Sequence, residues 1–170
     1  MRILGIDPGL NKCGWGVIES HGSNLKYIAH GVIKPNAKLS LAERLLFIDT
    51  EMTKIVDLWK PHSAAIEETF VNKSPTSSLK LGQARGVAMV APARFGIEVA
   101  EYGANLVKKT VVGSGHADKV QIMMMIKTLL PSSQVTSEDA ADALAVAICH
   151  ANHHSTYSQI QAKLDSCSQN

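Results

Sequence analysis

Short apolar runs separated by polar breaks dominate the start of the chain, and this pattern is typical of β-strands. Strands are predicted over residues 3–7, 14–19 and 25–33, each rich in aliphatic, β-branched or aromatic residues. Pro8 and Gly9 end the first strand abruptly and leave only a short link to the second. Three strands in direct succession predict an antiparallel meander.

After residue 40 the spacing of the apolar residues changes to three or four, which is typical of one face of a helix. The residues with this spacing are Leu41, Leu45, Ile48, Met52, Ile55 and Trp59. Ser40 and Glu43 have the spacing of a capping box at the helix start, and Pro61 ends the helix. A mainly apolar strand over residues 63–67 follows. A strand, a helix and a strand in this order predict a crossover and a parallel pairing.

The second half of the chain alternates predicted helices with one further strand. A polar loop over residues 69–78 precedes a helix over residues 79–94, which Pro92 kinks or ends. A fifth strand is predicted over residues 96–100. The remaining predicted helices cover residues 104–111, residues 117–130, and a last segment from Thr136 or Ser137 to about His153.

These elements predict an α/β fold. Its sheet is mixed and five-stranded, with the antiparallel meander joined to parallel strands and with helices on both faces. The length of 170 residues suits one domain, which we expect to cover residues 1–154. Residues 155–170 are polar and weakly patterned, so a disordered C-terminal tail is expected there.

The composition, with 45% hydrophobic and 19% charged residues, is ordinary for a soluble α/β protein. A formal charge of +2 does not by itself indicate a nucleic-acid-binding protein, although clustered basic residues could still form a positive face. The three scattered cysteines, Cys13, Cys149 and Cys167, favour reduced thiols over a disulfide framework. No apolar run reaches membrane-spanning length and no signal-peptide pattern precedes the first strand, so a cytoplasmic protein is expected.

Acidic residues stand where folding alone would not require them. Asp7 and Glu67 each end an apolar strand, and Asp139 and Asp142 share a face near the start of the last helix. If the first and fourth strands are neighbours, a helix across that edge could bring all four carboxylates together. Four such groups could not all stay ionised unaided. Hard divalent cations such as Mg²⁺ or Mn²⁺, two of them in a phosphodiester-cleaving site, would compensate their charge.

A plainer interpretation of these acids is also open. Acids in the first turn of a helix commonly just complement its dipole, which would account for Glu138 and much of Asp139. This explanation covers Asp142 poorly, because Asp142 lies past the first turn and on the apolar side. Asp7 and Glu67 could likewise be turn and cap residues.

The chain resembles the RuvC-type Holliday-junction resolvases of the ribonuclease-H-like, or retroviral-integrase-like, superfamily. The resemblance extends over most of the chain up to about His150. The matching segments are GIDPG at residues 5–9, GWGVI at 14–18, AIE at 65–67, LKLGQARGVA at 79–88, VKKTVVG at 107–113 and DAADALA at 139–145. The combination of these segments is highly specific, although the first one alone is not.

The resemblance implies a role for particular residues. The metal-binding catalytic carboxylates of the family fall on Asp7, Glu67, Asp139 and Asp142. Basic residues that hold the DNA backbone fall on Lys108 and Lys119. Lys119 could also stabilise the phosphate or position the attacking water, whereas without the resemblance it would be taken for a solvated lysine.

The family's aromatic residue in the loop after the catalytic glutamate falls on Phe70. In the family this residue contacts bases at the junction crossover, so the resemblance implies the same role for Phe70. An exposed aromatic residue beside Lys73 suits stacking on an unpaired base, but Phe70 could instead pin its own loop. The resemblance also implies a Mg²⁺-dependent homodimer, with Mn²⁺ able to substitute, and the branch-migration proteins RuvA and RuvB as partners.

Other features carry weaker hypotheses. The stretch over residues 113–119 resembles a phosphate loop but lacks Walker A spacing. A zinc site at Cys149, His150, His153 and His154 is disfavoured, because their spacing matches no recognised structural site. The small residues around Gly82 and Gly86 suit either a dimer contact or close packing against the protein's own sheet, and the sequence favours neither.

Three other functions compete with junction resolution. A kinase or ATPase of the actin and sugar-kinase type also opens with a strand ending in Asp and a glycine turn, but it needs a second similar domain. A nuclease of the same superfamily could act on RNA or another substrate. A DNA-binding module with an inactive site is disfavoured because all four acids are present.

Overall fold

The computed structural model describes residues 1–68 and 74–167. Strands and helices follow one another along the chain much as the hydrophobic pattern predicts. The strands are β1 (Arg2–Asp7), β2 (Cys13–His21), β3 (Asn24–Ile33), β4 (Ser63–Glu67) and β5 (Val99–Tyr102). The helices are α1 (Leu41–Trp59), α2 (Pro75–Ala93), α3 (Ala104–Val112), α4 (Lys119–Leu129) and α5 (Glu138–Cys167), with a short 3-10 turn at Pro131–Ser133.

The five strands form one mixed sheet in the order β3-β2-β1-β4-β5. The first three pair antiparallel, and β4 and β5 add in parallel beside β1, which confirms the predicted α/β fold. Ile6 of β1 is in register with Ile66 of β4. Asp7 and Glu67, one residue further on, therefore leave the sheet side by side.

Side-chain alternation along the strands divides the core into two layers, one on each face of the sheet. Ile3 points into the layer formed by α3, α4 and α5. Leu4 and Ile6 point into the layer formed by α1 and α2. The central strand β1 is thus buried on both faces, which explains its nearly continuous apolar sequence.

Helix α5 lies directly on the backbones of β1 and β2, because glycines face it where other residues would carry a side chain. A Cβ atom at Gly5 would overlap the carbonyl oxygen of Ala143, and one at Gly14 would overlap that of Asp139. A Cβ atom at Gly16 would come within 2.6 Å of Leu144 Cδ2. The last helix therefore crosses the sheet at the end where Asp7 lies.

Two predicted boundaries in the middle of the chain were wrong. Helix α2 begins at Pro75 and not at residue 79, because the Ser74 side chain accepts the backbone N–H of Ser77 as an N-cap and proline is favoured in a first turn. The first part of the predicted polar loop, residues 69–73, lies outside the described residues. Strand β5 starts at Val99, since Gly96, with φ of 71°, first turns the chain after α2.

The last helix is longer than predicted. It continues to Cys167 instead of ending near His153, and no glycine or proline after Pro131 interrupts it. The division of the chain into a domain over residues 1–154 and a tail over residues 155–170 remains a prediction. Within the described residues, no helix is both long enough and apolar enough to span a membrane.

Candidate active site

The four acids singled out in the sequence come from three elements that meet at one end of the sheet. Asp7 and Glu67 end the neighbouring parallel strands β1 and β4. Asp139 and Asp142 lie in the first two turns of α5, which the glycines of the sheet hold close to the strands. The parallel pairing of β1 with β4, and the close packing of α5 against the glycines of the sheet, thus place all four side chains at one edge of the sheet.

Asp7 is the most perturbed of these acids. Burial, together with the negative charges of Glu67, Asp142 and Asp139, raises the pKa of Asp7 from 3.8 to about 8. The nearby positive charge of Lys119 opposes that shift. A pKa raised this far shows that the fold buries the Asp7 carboxyl group and, in addition, keeps it close to other carboxylates.

Glu67 and Asp142 line a small cavity of about 190 Å³ together with Lys108 and Lys119. Burial raises the pKa of Glu67, the charge of Asp142 adds to this effect, and Lys108 opposes it. Burial likewise raises the pKa of Asp142, while Lys119 and Lys108 lower it. Both lysines that the family resemblance indicates therefore lie close enough to the acids to stabilise their ionised forms.

Lys119 begins helix α4 and reaches toward α5. Its Nζ donates a hydrogen bond of 2.8 Å to Glu138 Oε2, and this bond is the main reason that the pKa of Lys119 is raised. The ammonium group is largely exposed. Lys119 therefore remains charged and is accessible to an anion at the edge of the acid cluster.

Asp139 is held partly away from the other three acids. Its Oδ2 lies 3.6 Å from Lys12 Nζ and 3.5 Å from Ser137 Oγ. Consistent with this, no three His, Cys, Asp or Glu side chains in the described ranges form a ready metal-binding group. Neighbouring carboxylates contribute to the raised pKa values of Asp7, Glu67 and Asp142, but side-chain movement is needed before several of the acids can share a ligand.

The donor set nevertheless fits a hard divalent cation. All four acids offer oxygen atoms, which are the ligands that Mg²⁺ and Mn²⁺ prefer. A cation would also stabilise the ionised form of Asp7, whose pKa is raised to about 8 by burial and by the neighbouring carboxylates.

Two residues near the site were not predicted from the sequence. Arg85 of α2 donates from Nε to the backbone oxygen of Glu67 at 3.1 Å and pairs with Glu101, so it fixes the end of β4. Lys12 approaches Asp139 from the turn between β1 and β2. The sequence does indicate that Lys12 follows Asp7 closely, but only the position of α5 shows that it meets an acid.

Other predicted residues fall elsewhere. Phe70 and Lys73 lie outside the described residues, so their contribution to DNA binding remains a prediction. Of the residues considered for zinc, His150 is buried with Ser63 Oγ 2.7 Å from Nε2 and the Tyr102 hydroxyl 2.9 Å from Nδ1. Cys149 donates to Thr110 Oγ1 at 3.6 Å. These contacts form a polar network inside the fold.

The strand order and the acids at the ends of β1 and β4 define the class of ribonuclease-H-like nucleases. The family model described as "Crossover junction endodeoxyribonuclease RuvC" matches residues 3–150. The chain belongs to this family. Nucleases of the family depend on a divalent metal ion.

Individual relatives agree with this assignment. The chain is 59% identical to the crossover junction endodeoxyribonuclease RuvC of Rhodopseudomonas palustris, covering 95% of this chain and 93% of that protein. Among solved structures, T. thermophilus RuvC in complex with Holliday junction substrate is 29% identical with a TM-score of 0.85, over 92% of this chain and 96% of that one. The yeast mitochondrial Holliday junction resolvase Ydc2 shares the fold, with a TM-score of 0.67 at 11% identity over 98% of this chain and 85% of that one.

Proposed function

We propose that this protein resolves four-way (Holliday) DNA junctions by paired, symmetric, metal-dependent nicks, and so acts in homologous recombination and DNA repair. Membership of the RuvC family over residues 3–150 supports this function. The observation that carries it is the meeting of Asp7, Glu67, Asp139 and Asp142 at one edge of the sheet, where Asp7 reaches a pKa of about 8.

In this proposal the four acids hold Mg²⁺, two ions per site, and Mn²⁺ can substitute. When bound, such ions would supply a nucleophilic water and positive charge for the phosphate and the leaving oxygen. The residues of the chain would hold these ions in place. Asp7 and Glu67 do so from strand ends, whose backbones are fixed by the sheet, and Arg85 restrains the peptide of Glu67 further.

The lysines have a separate task, which is to hold the scissile phosphate. Lys108 and Lys119 line the same cavity as Glu67 and Asp142, so an anion there would meet two positive charges beside the acids. Lys119 donates a hydrogen bond to Glu138. If a phosphate oxygen replaced Glu138 as the acceptor, the ammonium group would still be paired with a negative charge. The products would be a 3′-hydroxyl and a 5′-phosphate, with no covalent enzyme intermediate.

Phe70 and Lys73 complete the proposed DNA contacts. They are the third and sixth residues after Glu67, which ends β4 at the acid cluster. Stacking of an aromatic ring on an unpaired base contributes about 1–3 kcal/mol and needs no particular base. This contact would favour a junction, where bases at the crossover can unpair, over continuous duplex.

A cleavage assay on a synthetic four-way junction tests the function. With Mg²⁺ we expect two nicks at symmetric positions, and the same protein should leave a matched duplex and a structured RNA uncut. Equal cutting of duplex or RNA would favour a different nuclease. Junction binding without any cleavage would favour the inactive module, and saturable ATP binding without junction binding would favour the kinase-like alternative.

We also propose that the protein is a homodimer that pairs through α1 and α2, so that two sites can cut two strands. An apolar groove of about 480 Å³ runs between these helices. Leu46 and Val90, which line it, are 64% and 47% exposed. A Cβ atom at Gly82 or Gly86 would have no described atom within 4 Å, so these glycines do not serve close packing against the sheet. An exposed apolar face of this kind suits a second copy of the chain.

Val90→Asp is expected to make the protein monomeric at micromolar concentration, because it replaces an exposed apolar side chain of that face with an unpaired charge. Sedimentation velocity measures the change directly. Met124→Asp is the matched control, since Met124 is 69% exposed on α4 and does not line the groove. A dimeric Val90→Asp protein, or a Met124→Asp monomer, would place the interface elsewhere.

The remaining parts of the proposal concern the setting of the reaction. RuvA and RuvB, the branch-migration proteins that the family resemblance implies, would deliver the junction. A cytoplasmic location is supported by the DNA substrate and by the buried, unpaired thiols of Cys13 and Cys149.

A further inference from the structure

A second concave surface adjoins the acid cluster and has no part in the function proposed so far. It is an open groove of about 590 Å³, formed by the turn between β1 and β2, the start of α1 and the start of α2. Asp139 lines this groove and not the small cavity that holds Lys108 and Lys119. The groove therefore leads away from the acids along a separate path.

The charges in the groove suit an anion. Lys12, Arg44 and Lys80 line it, and Asp139 is the single carboxylate among its lining residues. Lys12 lies 3.6 Å from Asp139, whereas Lys80 is exposed and makes no ion pair with any described residue. Three cations against one acid leave a net positive groove beside a negative cluster.

Arg44 makes the groove a built feature of the fold. Its Nη2 donates to the backbone oxygen of Leu10 at 3.0 Å and to Asn11 Oδ1 at 2.6 Å, so it fixes the turn that carries Lys12. Its Nε is buried and has no hydrogen-bond partner in the part of the chain that the structure describes. The guanidinium group thus adds its charge to the groove without a described carboxylate to neutralise it.

The start of helix α2 strengthens the attraction. Ser77, in the first turn of this 19-residue helix, lines the groove, and Lys80 follows one turn later. The positive end of the helix dipole favours a negative group at this position. The dipole acts here without a row of free N–H groups, because Pro75 has none and Ser74 Oγ already accepts the N–H of Ser77. The cations and the helix start therefore act on the same space.

We propose that this groove binds the sugar–phosphate backbone of the cleaved strand, at the phosphate next to the scissile one or the phosphate after it, with Lys80 as its principal contact. This inference rests on the proposed function, because the scissile phosphate is taken to lie at the acid cluster. The ligand class is a phosphodiester, recognised by charge without regard to base. The groove would position the strand so that the scissile phosphate falls beside the acids.

Lys80→Gln tests the proposal, with Lys54→Gln as its matched control. Lys54 is an exposed lysine of α1 that pairs with Glu51 and does not line the groove, so both variants lose one charge from a helix surface. Binding of the full-length proteins to a four-way junction is measured in EDTA over a series of salt concentrations. Lys80→Gln should weaken binding roughly three- to tenfold and lower the salt dependence of log K by about 0.9, as for one lost phosphate contact. Lys54→Gln should match the wild type.

A scan with single neutral methylphosphonates then locates the contact. In the wild type, the methylphosphonate at the contacted phosphate should weaken junction binding. In Lys80→Gln the same methylphosphonate should not weaken binding further, because the contact is already lost. An unchanged salt dependence in Lys80→Gln, or an effect at a phosphate far from the cut, would overturn the assignment. If the wild type neither binds nor cuts junctions, the proposed function itself fails, whereas a wild type that does both with an insensitive Lys80→Gln rejects the groove alone.

Discussion

Asp7→Asn is expected to abolish junction cleavage, lowering its rate by at least about 10³-fold, or about 4 kcal/mol of transition-state stabilisation. Asparagine keeps the size of the side chain but cannot supply the negative charge that a divalent cation needs. Junction binding should stay within a few-fold of the wild type, because the proposed contacts to phosphate and base come from other residues. Single-turnover cleavage and binding of the same junction measure the two effects separately.

The stability of the metal-free Asp7→Asn protein provides an independent readout. The pKa of Asp7 is about 8 in the folded protein, against 3.8 for an ordinary aspartate, so between these values the folded chain binds more protons than the unfolded chain. The free energy of unfolding of the wild type should therefore fall as pH rises from about 4 to about 8. The Asn variant lacks this slope, and its stability advantage should grow toward pH 8. Urea titrations in EDTA at several pH values measure it.

A matched substitution controls for the loss of one carboxylate away from the site. Asp57→Asn removes an exposed carboxylate of α1 that pairs with Lys60. This end of α1 lies near the start of β1, where Arg2 donates to the backbone oxygen of Trp59, whereas Asp7 lies at the other end of that strand. It should leave cleavage and the pH dependence of stability unchanged. Undiminished cleavage by a folded Asp7→Asn protein would contradict the proposed role of Asp7 as a metal ligand, even if all the stability measurements agreed with expectation.

Gly14→Ala is expected to cost at least about 2–3 kcal/mol in the free energy of unfolding and most of the cleavage activity. The added methyl group would overlap the carbonyl oxygen of Asp139 and would come within 2.5 Å of its carbonyl carbon. Backbone atoms cannot turn aside as a side chain can, so α5 itself must move. Because α5 carries Asp139 and Asp142, the same movement would separate two acids from Asp7 and Glu67. Urea unfolding and the junction assay measure the two losses.

Gly82→Ala is the matched control for that prediction. It adds the same methyl group where no described atom lies within 4 Å, in the interior of α2. Alanine favours a helix over glycine by about 1 kcal/mol, so this variant should be as stable as the wild type or more so. A Gly14→Ala protein as stable as Gly82→Ala would show that α5 can withdraw without cost, contrary to the close contact described here.

The sequence predicted the fold well where local pattern and topology act together. The strands are marked by apolar runs that end at turn residues, and the crossover after β3 requires β4 to lie parallel to a neighbour. The glycines Gly5, Gly14 and Gly16 could not be interpreted in advance, since their purpose depends on a helix more than a hundred residues away. The length of α5 was underestimated because a polar composition does not end a helix unless a stop residue is present.

The candidate site was predictable to a similar extent. Asp7 and Glu67 stand out because each carboxylate follows a buried strand directly. Lys12 and Arg85 do not stand out, because an exposed lysine in a turn and an arginine in a helix are ordinary in sequence. Their roles follow from tertiary contacts: Lys12 lies beside Asp139, and Arg85 donates to the backbone oxygen of Glu67.

Helix α2 connects two parts of the molecule that would otherwise be independent. Its outer face carries Val90 and Gly86 at the surface proposed to meet a second subunit, and its inner face carries Arg85, bonded to the peptide of Glu67. A helix transmits small displacements along its length because its backbone hydrogen bonds make it stiff. If two copies pair through α2, a shift of this helix would therefore be transmitted to Glu67 at the end of β4. In that way the position of an acid in each active site would depend on whether the second subunit is bound.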